Sequence, residues 1–329
     1  MAREVILAMG PVDDFVSERL SRFGQVTEVD QLDRRSIDTY LPDSIAIAAR
    51  AMAVIDAGVI TSAPRLRVIA RSGVGVDRID LAAATARGIP AVITPDAGTS
   101  AVAEGALALI LHLVKRLGRL TEMMRAQRWE DRESLPVGDL DGATLGIVGY
   151  GRIGRRLGEI AAALGMQILV FDPLLDPGPI DAHTTSTNLK SLVGASDVVS
   201  LHAPLTPQTK GMIDADLLGG FKTGSILVNC ARGGLVDLDA VYDALESGRL
   251  SGVGLDVYAD EPPPAHPLFN HPDVVLTPHV LGLSKRARRM IFEAMAEGME
   301  AVLAGGRAPH VANPEVYEPL TIARRGGER

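Results

Sequence analysis

The stretch "TLGIVGYGRIGRRLGEIAAALGMQILVFDP", from Thr144 to Pro173, restricts the possible fold more than any other part of the chain. It opens as a short apolar run, passes through Gly149-x-Gly151-x-x-Gly154, and continues as an amphipathic helix from about Arg152. A second apolar run then ends on Asp172. Strand, glycine corner, helix and strand in that order make a βαβ unit, and such units build a parallel sheet with helices on its faces. The glycines have separate duties. Gly149 permits the tight turn, Gly151 lets the backbone approach a pyrophosphate, and Gly154 lets helix and strand pack closely. The helix start adds free N–H groups and the positive end of a dipole. Asp172 can accept hydrogen bonds from a ribose 2′-OH and would repel a 2′-phosphate. The following residues, "PLLD", offer no arginine to accommodate that phosphate. The expected cofactor is therefore NAD rather than NADP.

The same α/β rhythm runs along the chain. "VILAM" (5–9), "MAVID" (52–56), "LRVIA" (66–70) and "PAVIT" (90–94) read as strands, separated by helical stretches. A long helix is expected over "TSAVAEGALALILHLVKRLGRL", with Ser100 capping its start and Glu104 favouring its first turn. After a loop with the only tryptophan, Trp129, strands are expected at 144–149, 166–172, 197–203, 225–231, 252–257 and 273–280. A last helix runs from about Ser284 to Leu303, and the tail "TIARRGGER" reads as disordered. Continuous apolar strands with helical crossovers imply parallel sheets covered on both faces.

Composition narrows the function classes. With 329 residues, two domains are expected. A net charge of −8 argues against nucleic acid or an anionic membrane as partner. The single cysteine, Cys230, rules out an internal disulfide and suits a reducing compartment. The N-terminus, with Asp13 and Asp14 close behind a short apolar run, does not read as a signal peptide. "GALALILHLV" is too short to span a bilayer, so a cytoplasmic protein is expected.

Three polar residues close later strands: Arg232 after "ILVNCA", Glu261 after "GVGLDVYAD", and His279 after "VVLTP". Ligands of open parallel sheets bind at that edge. Arginine is planar, always charged and forked, so Arg232 suits the carboxylate and adjacent carbonyl of a 2-oxo acid. Gly233 and Gly234 are expected to keep its surroundings open to substrate. Histidine exchanges protons near neutral pH. A carboxylate at Glu261 can fix its tautomer and stabilise the imidazolium. Each residue alone also fits a blander place, as a turn arginine, a solvated loop acid or a strand-end histidine. His202, which closes "VVSLHA", competes for the acid–base role. His112, His183, His266, His271 and His310 lack that context, and "HPLFNH" is a poor ligand spacing, so no metal is expected.

Taken together, "RSGVGVDRIDL", "TPDAGTSAVAEGALALIL", "LDGATLGIVGYGRIGRRL", "VSLHAPLTPQTKGMI", "LVNCARGGLVD", "GVGLDVYADEPP" and "VVLTPH" resemble the D-2-hydroxyacid dehydrogenases of the D-3-phosphoglycerate dehydrogenase kind. The resemblance covers most of residues 65–282. It implies two parallel-sheet α/β domains, Rossmann-like and flavodoxin-like, the NAD-binding one inserted into the substrate one. That places residues 1–99 and 285–329 in the substrate domain and 100–284 in the NAD-binding domain. It implies hinge closure over substrate and a homodimer paired through the NAD-binding domains, with the Trp129 loop in the contact.

The resemblance also implies roles. Arg232, Glu261 and His279 are the catalytic set. Gly149, Gly151, Arg152, Ile153, Gly154 and Asp172 hold the adenosine and pyrophosphate part, and Ala203 and Pro204 line the adenine side. Cys230, Ala231, Arg232, Asp256, His279 and Gly282 complete the cofactor site towards the nicotinamide, with Asp256 on the carboxamide. Gly73, Val74 and Gly75, with Arg232 and His279, hold the substrate. The chain departs from the family after His279, where "VLGLS" adds Leu281 and Leu283 beside the expected pocket. There is no room for the C-terminal regulatory domain of longer phosphoglycerate dehydrogenases, so serine feedback is not expected. The expected activity is hydride transfer between NAD and C2 of a D-2-hydroxy acid, with D-3-phosphoglycerate as a candidate substrate. Glyoxylate or hydroxypyruvate reduction and phosphite oxidation are the enzymatic alternatives, and an NADH-sensing corepressor-like scaffold is the alternative of another class.

Overall fold

A computed structural model describes residues 4–50 and 52–318. The described residues up to Gly98 and from Lys285 onward form one compact unit, and Thr99–Ser284 form the other. The first unit is built on β1 (Val5–Met9), β2 (Gln25–Val29), β3 (Ser44–Ala49), β4 (Val68–Arg71) and β5 (Ala91–Val92), all parallel, in the order β2-β1-β3-β4-β5. Alternation along β1 sends its side chains to two cores. Ile6 and Ala8 meet Val16 and Leu20 of α1 (Asp14–Leu20) on one face. Val5, Leu7 and Met9 meet α2 (Arg34–Tyr40), α3 (Ala57–Ser62) and α4 (Leu81–Ala86) on the other. Asp33, Asp56 and Asp80 start those three helices, each carboxylate accepting backbone N–H bonds of the first turn.

The second unit opens with α5 (Thr99–Val114) and α6 (Leu117–Arg125). The chain then runs through β6 (Thr144–Val148), α7 (Arg152–Ala163), β7 (Gln167–Phe171), β8 (Gly178–Pro179), β9 (Thr184–Ser186), α8 (Leu189–Ala195) and β10 (Val198–Leu201). It continues with α9 (Ala215–Gly219), β11 (Ser225–Asn229), α10 (Leu238–Glu246), β12 (Leu250–Leu255) and β13 (Val274–Leu276). The eight strands lie in the order β13-β12-β11-β10-β6-β7-β9-β8, and only β8 runs antiparallel to its neighbour. One face is covered by α5 and α7, through Leu109, Leu113, Leu157 and Ala161, and the other by α8, α9 and α10, through Leu192, Leu218 and Val241. Helix α11 (Lys285–Leu303) then returns the chain to the first unit, where Phe292, Met295 and Met299 fill the core beside α1. Among the described residues no helix is long and apolar enough to cross a membrane.

The fold class is the one expected, with local corrections. "MAVID" is not a strand, because only an isolated bridge joins Ile55 to Ile79. Its place in the sheet is taken by β3, "SIAIAA", whose alanines are poor strand formers and hid a fully buried strand. The edge strand β2 and the short β8 and β9 were not foreseen either. The long helix is two helices, broken where Arg116 adopts φ +47. It begins at Thr99, so Ser100 lies inside the first turn rather than at the cap. The expected disordered tail lies outside the described residues.

Candidate active site

The strand order of the second sheet runs away from β6 in both directions, to β7 on one side and β10 on the other. The crevice between the carboxyl ends of β6 and β10 is therefore the topological switch point. The glycine corner sits there. Gly149 has φ +93, and a Cβ on it would lie 2.6 Å from the Ala203 nitrogen. A Cβ on Gly154 would lie 2.3 Å from the Gly149 carbonyl oxygen. These two glycines are demanded by the protein's own packing. Gly151 is different: it is the N-cap of α7, and a Cβ on it would meet nothing within 4 Å. The room it leaves at the helix N-terminus fits a pyrophosphate. Arg152 and Ile153 form the first turn. The Tyr150 N–H donates to Asp172 Oδ2 at 2.9 Å and the Leu174 N–H to Oδ1 at 3.0 Å. The carboxylate is thus held at the end of β7, beside the corner, where a ribose hydroxyl would need it.

The other predicted residues leave three neighbouring strands. Asn229 of β11 is in register with Leu255 of β12, and Leu255 with Leu276 of β13. Arg232, Tyr258 and His279 each stand three residues beyond these positions, so the sheet delivers them to one edge, with strands about 4.8 Å apart. His279 and Glu261 meet directly: Nδ1 lies 2.9 Å from both Oε1 and Oε2. Glu261 is itself aimed by the Tyr258 N–H, which donates to Oε1 at 3.2 Å. The Nδ1–H is therefore committed to the carboxylate, which leaves Nε2 as the ring's available proton acceptor. His279 adopts φ +54, a left-handed conformation uncommon for a non-glycine residue.

Arg232 lies half-buried, with Nη1 donating to its neighbour's carbonyl, Ala231 O, at 2.7 Å. The turn before it is pinned by buried Asn229, whose Oδ1 accepts from the Ala231 N–H and whose Nδ2 donates to Arg232 O. The glycines after it do not serve to keep space open for substrate, as expected from sequence. A Cβ on Gly233 would fall 1.9 Å from the Tyr258 carbonyl carbon and one on Gly234 3.1 Å from Leu205 Cδ2. Gly233 is small because the backbone leading to Glu261 crosses directly over it.

Asp256, 2% exposed, ends β12 under the His279 loop. Its Oδ1 accepts from Thr277 Oγ1 at 2.6 Å and from the Val280 N–H at 3.0 Å, and its Oδ2 from the Leu281 N–H at 3.3 Å. Burial raises its pKa against the lowering effect of these bonds. Cys230 is buried, and burial, then Asp256, raises its thiol pKa, so it is no nucleophile. His202 bonds Ser200 Oγ through Nε2 at 2.9 Å, and burial depresses its pKa to about 4. It is neutral at pH 7 and has no carboxylate partner there, unlike His279. Ala203 is buried at the switch point, and exposed Pro204 follows it, its carbonyl held by Thr209 Oγ1. Gly282 lies against α5, where a Cβ would stand 3.2 Å from Val102 Cγ2.

In the first unit, Gly73, Val74 and Gly75 form the loop after β4. Gly73 has φ +132 with open space where a Cβ would be, and its carbonyl accepts from the Thr94 N–H. Arg71 Nε donates to Gly75 O at 2.9 Å, and Val74 is exposed. Three supporting residues had not been foreseen: Asn229, Tyr258 and Thr277. Asn229, an amide closing the apolar run "SILV", carried the signal that could have found it, since a buried polar group needs a structural partner.

A glycine cradle at the switch point and an aspartate at the next strand end are the features of a dinucleotide-binding domain, and the same sheet edge bears a histidine–carboxylate pair and an arginine. Residues 107–280 match the family described as D-isomer specific 2-hydroxyacid dehydrogenase, NAD binding domain. The chain belongs to this family, and its cofactor is NAD. It is 36% identical over 311 residues to a D-3-phosphoglycerate dehydrogenase of Mycobacterium bovis, covering 92% of this chain and 59% of that protein. The chain thus spans somewhat more than half the length of that curated relative. Among solved structures, the TT0316 protein from Thermus thermophilus is similar with a TM-score of 0.87 and 36% identity, covering 94% of this chain and 99% of that one. A D-lactate dehydrogenase from Aquifex aeolicus, complexed with NAD and lactic acid, is similar with a TM-score of 0.84 and 30% identity, covering 92% and 96%.

Proposed function

We propose that this chain transfers a hydride between NAD and C2 of a D-2-hydroxy acid or the matching 2-oxo acid. The observation that carries the reading is the His279–Glu261 pair, with both carboxylate oxygens 2.9 Å from Nδ1, at the strand edge that also bears Arg232. The cofactor supplies the hydride acceptor or donor; the chain supplies the rest. His279 Nε2 takes the hydroxyl proton in oxidation and returns it in reduction. Glu261 holds the tautomer and favours the imidazolium. The Arg232 fork binds the carboxylate and polarises the carbonyl. Gly73, Val74 and Gly75 of the first unit, which acts as the substrate domain, bind the substrate carboxylate. The α7 N-terminus and Asp172 bind pyrophosphate and ribose, Asp256 serves the carboxamide, and Ala203, Pro204, Cys230, Ala231 and Gly282 line the site.

The His279 loop bears on the substrate tail. Leu281 packs against Gly105 of α5. Val280 and Leu283, each 43% exposed, are the apolar groups flanking His279. They favour a short 2-oxo acid such as glyoxylate or hydroxypyruvate as a second reading beside 3-phosphoglycerate. The deciding experiment follows NADH oxidation with a panel of 2-oxo acids. His279→Ala should abolish turnover with NADH affinity within about twofold, and Arg232→Lys should fail because a point charge cannot replace the fork. No turnover by the unaltered protein with any acid would leave the scaffold reading standing.

The partners of the reading are a small acid and a second copy of the chain. Helix α6 has no buried residue, and Leu117, Met124 and Trp129 are exposed on and after it. Such a surface suits a homodimer through the NAD-binding unit; a monomer by light scattering at micromolar concentration would refute it. The lone, buried cysteine suits a cytoplasmic setting.

A further inference from the structure

Among the fastenings of the loop carrying His279, one polar and one apolar contact face the same part of the second sheet. Asp256 accepts from Thr277, Val280 and Leu281, which fixes the backbone. The second fastening is the Leu281 side chain. A Cβ on Gly105 would lie 2.6 Å from Leu281 Cβ, 3.0 Å from Cδ1 and 3.1 Å from Cγ. Glycine inside a helix weakens it, so a buried glycine in the second turn of α5 calls for a reason. Leu281 is that reason. It fills a notch that alanine would close, and Gly282 then touches Val102, one turn earlier on the same helix face.

The helix is a firm backstop. The β12 glycines Gly252 and Gly254 let α5 settle closely on the strand, where ideal Cβ atoms would stand 3.1 Å from Leu113 Cδ2 and Leu109 Cβ. That strand ends in Asp256. The polar and apolar fastenings of the loop therefore refer to one rigid body, β12 with α5 docked on it.

We infer that Leu281, seated in the Gly105 notch, is a positioning residue that sets where the His279 ring stands against Glu261. The inference rests on the reading of His279 as the proton carrier in hydride transfer. Leu281 acts through the loop that carries His279.

The test uses the full chain with Gly105→Ala, Leu281→Ala and the double variant Gly105→Ala/Leu281→Gly, which removes the clashing Cβ. Three quantities are read: kcat with a 2-oxo acid that the unaltered protein reduces, the NADH dissociation constant, and the His279 ring tautomer in the cofactor-free protein from long-range ¹H–¹⁵N correlations. In the parent the Nδ1–H tautomer should dominate. Gly105→Ala should lower kcat by about tenfold or more, leave NADH affinity within about twofold, and mix the tautomers. The double variant relieves the clash but seats nothing from position 281 in the notch, so it should resemble Leu281→Ala, with lowered kcat and mixed tautomers. Leu281→Ala, which keeps the Cβ but empties the notch, should loosen the ring in the same way if Gly105→Ala does not fold. An unchanged tautomer and kcat in the folded single variants would overturn the inference, as would a folded double variant with the parent's kcat and single tautomer. If no acid is turned over but the tautomers follow this pattern, the positioning stands and the catalytic reading fails.

Discussion

Replacing Gly233 by alanine would place a methyl carbon 1.9 Å from the Tyr258 carbonyl carbon and 2.2 Å from the Ala259 nitrogen. Carbon atoms rest about 3.5 Å apart, so the two backbones must separate by roughly 1.6 Å. Neither side can give by turning a side chain, because the colliding atoms are main chain. The displaced segment includes the Tyr258 N–H that aims Glu261, and Glu261 in turn holds His279. Overpacking of this kind costs about 1–3 kcal/mol of stability. A misplacement of about 1 Å at a catalytic group costs about 100-fold in rate. Urea unfolding should show the first effect and steady-state NADH oxidation the second. Gly234→Ala is the matched control. Its nearest neighbour is the tip of Leu205, at 3.1 Å, which can rotate away, so stability should stay within about 0.5 kcal/mol. If Gly233→Ala unfolds at the parent midpoint and keeps its rate, the claim that the Arg232 and Glu261 loops are held by backbone contact is wrong.

Gly151→Ala should leave the unfolding midpoint unchanged, since its methyl meets no protein atom, yet weaken NADH binding about tenfold or more; equal affinity by fluorescence titration would show that no phosphate approaches there. His202 is depressed from the ordinary value near 6.5 to about 4, so the unfolded chain binds its proton first as pH falls. Stability from this residue is complete above about 6.5 and drains towards pH 4, by at most about 1.4 kcal/mol per pH unit. His202→Gln should therefore lose less stability over that interval than the parent, and parallel pH profiles from urea unfolding would contradict the burial argument.

The glycine corner was legible because the glycine spacing, the strand before it and the aspartate after it are local features of one segment. The same holds for the strands of the second sheet, whose β-branched runs stand between clear breakers. The β3 strand was not legible: alanine-rich and fully buried, "SIAIAA" carries no alternation to read. The break at Arg116 escaped because the helical pattern continues through it and the left-handed residue is not a glycine. Arg232, Glu261 and His279 could be named from sequence as strand-end groups. That Glu261 and His279 touch depends on strand order, which no single segment encodes. One reading failed for the same reason: Gly233, expected to keep space open for a substrate, answers instead to Tyr258–Ala259, a segment distant in sequence.

The matched register of Asn229, Leu255 and Leu276 has a consequence for how such a protein can change. Because three loops depart from one level line, each can be lengthened or rebuilt while the sheet beneath keeps its hydrogen bonds. Selectivity and foldedness are then nearly independent traits. A residue added beyond His279 alters what is grasped, whereas one added inside β13 slips the strand and turns its faces over.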